Sequence, residues 1–239
     1  MLKIFSKETK KIQDSPPKAD APRVQKFKVL NYKNLKNIKT NLEGTDFEYL
    51  GEQYKLRLLG AHQARNAALA IECAKDLGIG IPEIKKGLFE TFYPARAEAV
   101  SRRPLIIVDG AHNEDKLRAT IEFIKSNHPK GRKYLIIAAA KSKKIKKIMP
   151  MLKSHFDGVF ATRFSNPFRK ALGYDEWRKG FANKKVLYYH YPHDALGAAL
   201  TRLRKYDLLL ITGSIFLAGE LREYWYPEEG ILKKRRSIF

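Results

Sequence analysis

Polar side chains follow two apolar runs of the sequence in a pattern that could bind an anion. Asp109-Gly110-Ala111-His112-Asn113 follows the run that begins at Leu105, and Thr212-Gly213-Ser214 follows the run that begins at Leu208. An aspartate at such a position can accept hydrogen bonds from ribose hydroxyls or hold a cation, and Thr-Gly-Ser at a helix start offers N–H groups and a hydroxyl to an anion. Alternatively, Asp109 only caps the next helix and Thr-Gly-Ser is only a strand-to-helix turn.

These motifs need a sheet whose strands end at one edge, and the sequence after Pro94 predicts one. Apolar runs typical of buried strands alternate with amphipathic segments of helix length. The predicted strands cover 105–109, 134–140, 158–164, 186–191 and 208–212, and the predicted helices cover 114–127, 143–155, 174–182, 193–205 and 215–226. This alternation predicts an α/β fold with a Rossmann-like, doubly wound, mostly parallel sheet, in which ligands bind beyond the carboxyl ends of the strands.

The residues before Pro94 predict a smaller α+β unit. Apolar and polar residues alternate in short stretches between Phe27 and Leu59, which predicts a small antiparallel hairpin that turns at Gly51. The alanine-rich segment 62–77 predicts a helix, and Pro82 opens a second, shorter one.

Composition restricts the classes of protein to which the chain can belong. The 239 residues include 47 Lys and Arg against 25 Asp and Glu, a net charge of +22, so we expect anionic partners. The single cysteine, Cys73, excludes an internal disulfide and a cysteine-based zinc site, and it favours a reducing, cytoplasmic location. No apolar run approaches the roughly 18 residues that span a bilayer, so we expect no membrane partner.

His190, His193 and Asp194 are residue types that bind metals. Tyr191 and Pro192 separate them, and the pattern favours a helix that begins at Pro192 with Asp194 in its first turn. We therefore predict no metal site in this chain.

Four sequence motifs together resemble a known family. They occur in the order LGAHQARNAA (59–68), YPAR (93–96), VDGAHN (108–113) and TGSIFLAGE (212–220). In order and spacing they resemble the C-terminal half of folylpolyglutamate synthase and dihydrofolate synthase, in the Mur ligase superfamily. The resemblance spans roughly residues 45 to 226.

The resemblance implies an ATP-dependent ligase that activates a folate carboxylate as an acyl phosphate and joins it to the amine of glutamate. It implies that Asn66, Arg96 and Asp109 contact ATP. His112 and Ser214, on the same edge, suit the incoming glutamate or the acyl phosphate as hydrogen-bond donors. We assign no catalytic residue in this chain.

The sequence departs from the family pattern at several points, including the following two. The family's phosphate-binding loop, G-x-x-x-x-G-K-S/T, does not occur in these 239 residues. In the family, this loop and the magnesium ligands both belong to a central domain. We therefore expect ATP and Mg²⁺ to act with a separate P-loop half, and we expect the chain alone to hydrolyse ATP poorly. The glycine that usually precedes the motif arginine is Ala95 here.

The resemblance also implies a domain organisation. We predict a flexible basic lead-in (1–26), a remnant of the central domain (27–92), the C-terminal glutamate-ligase domain (93–226) and a basic tail (227–239).

The main hypothesis is that the chain is one half of a ligase that works with a separate P-loop half, and two alternatives to it remain. The chain could be a non-catalytic nucleic-acid-binding or scaffold protein that retains a degenerate ligase domain, although we expect only weak, non-specific nucleic-acid binding. It could also be a piece of a longer ligase.

Overall fold

The structure, a computed structural model, describes residues 30–128, 130–141, 145–166, 168–181 and 186–230, with the backbone alone described for 145–148. The chain divides into two units, Met1–Lys33 and Asn34–Phe239. A 3-10 turn covers Tyr32–Asn34, and every other element lies in the second unit. The predicted basic lead-in and most of the predicted basic tail lie outside the described residues.

The second unit begins with a three-stranded antiparallel sheet of β1 (Leu35–Asn41), β2 (Gly44–Tyr49) and β3 (Glu52–Leu56). The predicted hairpin is the β2–β3 pair, and the prediction missed β1. The register of β1 against β2 shifts between Lys36 and Lys39, around Asn37 with a φ of 52°. Such a bulge breaks the period-two alternation by which a strand is recognised in sequence.

Two helices follow, α1 (His62–Asp76) and α2 (Ile81–Glu90). The inward face of α1 is built from small residues, with Ala64, Ala67, Ala68 and Ile71 buried. Pro82 lies in the first turn of α2, where its missing N–H costs no helical hydrogen bond. Both helices occur where the sequence predicts them.

The rest of the unit is built on a six-stranded sheet in the order β4-β5-β9-β6-β7-β8. Its strands are β4 (Glu98–Arg102), β5 (Leu105–Val108), β6 (Lys133–Ile137), β7 (Gly158–Ala161), β8 (Val186–Tyr188) and β9 (Leu208–Thr212). All neighbouring pairs are parallel except β4 with β5. This confirms the predicted mostly parallel α/β sheet.

In the described part of the chain, five helices cover this sheet: α3 (Glu114–Asn127), α4 (Ile145–His155), α5 (Tyr174–Gly180), α6 (Pro192–Leu200) and α7 (Ile215–Arg222). Buried residues of α3, α4 and α5 pack on one face, and those of α6 and α7 pack on the other. The sheet is therefore doubly wound, as predicted. Among the described residues, no helix is both long and apolar enough to cross a membrane.

The sequence did not predict β4. It has only five residues, its register against β5 shifts between Ala99 and Ser101, and none of its residues is fully buried. A short edge strand with a bulge carries no clear apolar alternation. Its position matters for the site, because β4 begins directly after the loop of residues 91–97. This loop contains Arg96 and is called the Arg96 loop below.

Candidate functional site

The loops that follow β5 and β9 are joined to each other at the carboxyl ends of the strands. The backbone carbonyl of Ala111 accepts a hydrogen bond from the N–H of Gly213 at 2.9 Å and one from the hydroxyl of Thr212 at 3.3 Å. Gly213 has a φ of 97°, and a Cβ there would lie 2.5 Å from the carbonyl oxygen of Ala138 after β6. Three strand ends therefore converge at this glycine, and a side chain would force them apart.

A cavity of about 600 Å³ opens at this edge. We call it the serine cavity. Its lining includes His112, Asn113, Phe164, Arg169, Ser214 and Phe216. Two of the residues predicted from the sequence, His112 and Ser214, are thus brought to one cavity.

Ser214 is buried and forms the N-cap of α7. Its hydroxyl oxygen accepts a hydrogen bond from the N–H of Phe216 at 3.2 Å. Thr-Gly-Ser therefore forms a strand-to-helix turn. This does not exclude a role in binding, because a hydroxyl that accepts one hydrogen bond can still donate another.

His112 is exposed, and its Nδ1 lies 3.1 Å from the carbonyl oxygen of Gly110. A carbonyl oxygen can only accept, so this contact requires the proton on Nδ1. In the neutral ring, Nε2 then carries the lone pair. The sequence analysis expected His112 to donate to the ligand. Nε2 does so when the ring carries both protons and accepts when it carries one, so that role stays a prediction.

Asp109 is buried and does not cap the next helix. Its carboxylate accepts hydrogen bonds from the Thr120 hydroxyl and, at 3.4 Å, from the N–H of Ala97. The N-cap of α3 is instead Asn113, whose side chain accepts from the N–H of Lys116 at 3.0 Å. Burial raises the pKa of Asp109, and its hydrogen bonds and the nearby Arg96 only partly oppose that rise.

A second, much smaller cavity of about 10 Å³ lies beside Asp109. We call it the arginine cavity. It is lined by His62, Arg96, Ala97, Asp109, Lys116 and Thr120. His62 comes from α1 and Lys116 from α3, so two helices and the loop before β4 meet here. Burial and the charge of Arg96 lower the pKa of His62, whose Nδ1 has no hydrogen-bond partner among the described residues.

Arg96 lies between two alanines in the left-handed backbone region. Ala95 has a φ of 53° and Ala97 a φ of 48°, and both are buried. Left-handed backbone costs a residue with a Cβ roughly 1–2 kcal/mol. Glycine adopts this conformation without the steric cost of a Cβ, which explains why the family pattern has glycine at the position of Ala95.

Asn66 is not brought to either cavity. It is exposed on α1, and its Nδ2 donates a hydrogen bond to Oε1 of Gln63 on the same helix at 2.9 Å. It lies one helical turn beyond His62, which does line the arginine cavity.

Comparison with protein families identifies this architecture. Residues 95–215 match the model of the Mur ligase glutamate ligase domain. The chain belongs to the Mur ligase family. The match confirms the resemblance predicted from the sequence motifs, and it covers both Arg96 and the carboxyl edge up to the start of α7.

Two curated relatives within this group carry folate-related names. The dihydrofolate synthase/folylpolyglutamate synthase of Bacillus subtilis is 26% identical over 178 residues, which cover 72% of this chain and 41% of the relative. The folylpolyglutamate synthase of Lacticaseibacillus casei is 29% identical and covers 70% of this chain and 39% of the relative. The chain thus spans about two fifths of the length of these relatives.

A solved Mur ligase structure shows the same fold. The Mycobacterium tuberculosis folylpolyglutamate synthase, complexed with ADP and AMPPCP, superposes with a TM-score of 0.71 at 22% identity. The superposition covers 81% of this chain and 48% of that one.

The sequence analysis of this Mur ligase chain missed several residues at the two cavities. Arg169 lines the serine cavity, and His62, Lys116 and Thr120 line the arginine cavity. A signal for Arg169 was present, because it follows the end of β7 in the stretch Arg163 to Lys170. Nothing in the sequence marked Thr120 as a site residue, because a threonine in an amphipathic helix is not distinguishable from an ordinary helix residue.

The described residues offer no metal site: no group of three or more His, Cys, Asp or Glu side chains could hold an ion. Asp194 lies in the first turn of α6, which begins at Pro192, as the sequence predicted.

Proposed function

We propose that this chain supplies the nucleotide and glutamate sides of an ATP-dependent folate–glutamate ligase. The observation that carries the proposal is the adjacency of the two cavities. The five residues Asp109 to Asn113 run from one to the other, with Asp109 on the arginine cavity and His112 and Asn113 on the serine cavity. The first cavity, at about 10 Å³, is too small to enclose a nucleotide, so a phosphoryl donor would lie against its mouth, beside Arg96 and Asp109. An amine in the second cavity would then meet it across this segment.

Arg96 and Asp109 are assigned to the nucleotide. Arg96 can contact phosphate oxygens through two N–H groups at once, and its neighbour Lys116 adds a second positive charge. Asp109 can accept hydrogen bonds from ribose hydroxyls. Asn66 retains its proposed ATP contact through the family motif, and it would reach the nucleotide from the exposed side of α1.

His112, Ser214 and Arg169 are assigned to the acceptor amino acid and the acyl phosphate. No acidic side chain among the described residues pairs with Arg169, so its guanidinium can bind a carboxylate of glutamate. Ser214 and the N-terminus of α7 can stabilise negative charge on the acyl phosphate. The apolar side chains of Phe164 and Phe216 would exclude water from the reactive anhydride.

The proposed chemistry has two steps. A folate carboxylate oxygen attacks the γ-phosphorus of ATP, the bond to ADP breaks, and an acyl phosphate forms. The glutamate amine then attacks the acyl carbon, the C–N bond forms, the C–O bond to phosphate breaks and phosphate leaves. The amine must lose a proton, and Nε2 of a neutral His112 ring can accept it when Nδ1 donates to the carbonyl of Gly110.

Activity requires a P-loop, because the γ-phosphate must be held for transfer. The 239 residues do not contain that motif. We propose that a P-loop outside these 239 residues, in another part of the same protein or in a second polypeptide, supplies it together with magnesium. Mixing the purified chain with a P-loop half, made from the part of the Bacillus subtilis relative that precedes its match, should produce glutamate addition to folate. Neither polypeptide should do so by itself. Robust turnover by this chain alone would refute the requirement, and no turnover in any mixture that forms a complex would refute the proposed function.

A further inference from the structure

An ion pair joins β4, which follows the Arg96 loop, to the end of α7. Nε of Arg222 lies 2.7 Å from Oε2 of Glu98, and Nη2 lies 2.9 Å from Oε1. Both side chains are largely buried, with 11% of Arg222 and 8% of Glu98 exposed. The guanidinium therefore occupies both oxygens of the carboxylate in a two-point contact, the strongest geometry for such a pair.

The same carboxylate holds the backbone that carries Arg96. Oε2 of Glu98 accepts a hydrogen bond from the N–H of Ala95 at 2.9 Å. The carbonyl of Ala95 accepts from the N–H of Gly110 at 2.7 Å. Left-handed residues persist where surrounding contacts over-determine them, and these contacts do so at Ala95.

Arg222 is itself fixed by two aromatic rings. Its guanidinium carbon lies 4.3 Å from the ring centroid of Tyr226 and 5.9 Å from that of Phe92. Phe92 precedes Arg96 within the loop and Glu98 follows the loop, so one arginine contacts the chain on both sides of Arg96.

Glu98 and Arg96 also line one groove. Both residues line a cavity of about 450 Å³ between the three-stranded sheet and β4. Without another positively charged partner, the Glu98 carboxylate, two residues from Arg96, would compete with an anionic ligand for the Arg96 guanidinium. Arg222 removes that competition by occupying both carboxylate oxygens.

From this geometry we propose that Glu98 and Arg222 are positioning residues for Arg96. Glu98 fixes the loop through Ala95, and Arg222 sequesters the Glu98 carboxylate so that the Arg96 guanidinium stays available to an anionic ligand. The identity of that ligand as a nucleotide rests on the proposed function, whereas the sequestration of Glu98 does not.

The test is a set of variants of the full chain titrated with ADP by calorimetry. Arg222→Gln leaves the Glu98 carboxylate free to pair with Arg96, so ADP affinity should fall at least about tenfold. Glu98→Gln combined with Arg222→Gln removes the competing charge, so affinity should recover to within about threefold of the parent chain. In an Arg96→Ala background, Arg222→Gln should have no further effect, because the arginine through which it acts is gone.

A matched control separates this effect from general loss of stability. Arg118 and Glu114 form an exposed pair at 2.9 Å within α3, and Arg118→Gln should leave ADP affinity unchanged. If Arg222→Gln does not fold, Arg222→Lys provides a milder break, because lysine keeps the charge but contacts the carboxylate at one point. Its smaller effect should also vanish in the Arg96→Ala background.

Two results would overturn the proposal: unchanged ADP affinity in Arg222→Gln, or a loss that persists without Arg96. If the parent chain does not bind ADP, the proposed nucleotide role fails, and the NMR signal of the Arg96 side-chain Nε–H tests the positioning role by itself. That signal should shift in ligand-free Arg222→Gln and return toward the parent position in the double variant. A signal that stays unchanged in Arg222→Gln would refute the sequestration of Glu98.

Discussion

The hydroxyl of Thr120, on α3, donates a hydrogen bond to the carboxylate of Asp109 at the end of β5. The same hydroxyl lies 3.1 Å from the carbonyl oxygen of Lys116, one turn earlier on the helix. A buried carboxylate is costly unless hydrogen-bond donors satisfy it. Thr120 therefore lets an ionisable group remain inside the fold beside the arginine cavity.

Replacing Thr120 by valine should destabilise the fold by about 1–3 kcal/mol, because the buried carboxyl group of Asp109 loses a hydrogen-bond partner. Valine keeps the shape of threonine, so packing is little changed. Urea denaturation gives the free energy of unfolding. Thr120→Ser, which keeps the hydroxyl, is the matched control, and a loss in serine as large as in valine would contradict the explanation.

Stability should also depend on pH through Asp109. Burial raises its folded pKa above the ordinary aspartate value, so the folded state holds the proton more tightly than the unfolded chain does. Its contribution is fully present below the unfolded pKa of about 3.9 and is lost as the pH rises through the raised folded pKa. Relative to Asp109→Asn, the free energy of unfolding of the parent chain should therefore fall across that window. Parallel pH profiles of the two proteins would exclude this.

Ala95→Gly should be tolerated far better than Ala67→Gly. The two alanines are almost equally buried, at 4% and 5% exposure, but Ala95 is left-handed and Ala67 lies inside α1. Glycine relieves strain at the first position and weakens a helix at the second, so the two free energies of unfolding should differ by about 1–2 kcal/mol. Equal losses in thermal or urea denaturation would show that Ala95 is not strained.

Gly213→Ala should cost about 2–4 kcal/mol, because a Cβ would meet the backbone oxygen of Ala138 and the left-handed φ would add strain. Gly219→Ala is the control. Gly219 lies in α7, and a Cβ added there would meet no described atom within 4 Å, so alanine should stabilise by roughly 0.5–1 kcal/mol. The measurement is the midpoint and slope of urea denaturation, and a harmless Gly213→Ala would contradict the close approach.

Arg96→Ala and Arg169→Ala should affect different substrates in the reconstituted ligase. A lost contact to a charged group costs about 1.5–3 kcal/mol, or roughly ten- to a hundredfold in binding. Arg96→Ala should raise KM for ATP, and Arg169→Ala should raise KM for glutamate. Steady-state kinetics with each substrate varied in turn tests this, and a reversed pattern would reject both assignments.

The sequence by itself determined the alternating strand and helix order, because buried parallel strands and amphipathic helices have apolar patterns that a single segment displays. It also predicted that His112 and Ser214 would share an edge, since parallel strands end together. The tertiary structure decided what one segment cannot encode. Thr120 reaches Asp109 from another element, Arg222 pairs with Glu98 across 124 positions, and Asn66 stays apart from both cavities. Such contacts depend on how the helices pack on the sheet. The strand β4, which follows the Arg96 loop, was missed for another reason: it is too short and irregular to show a recognisable apolar alternation.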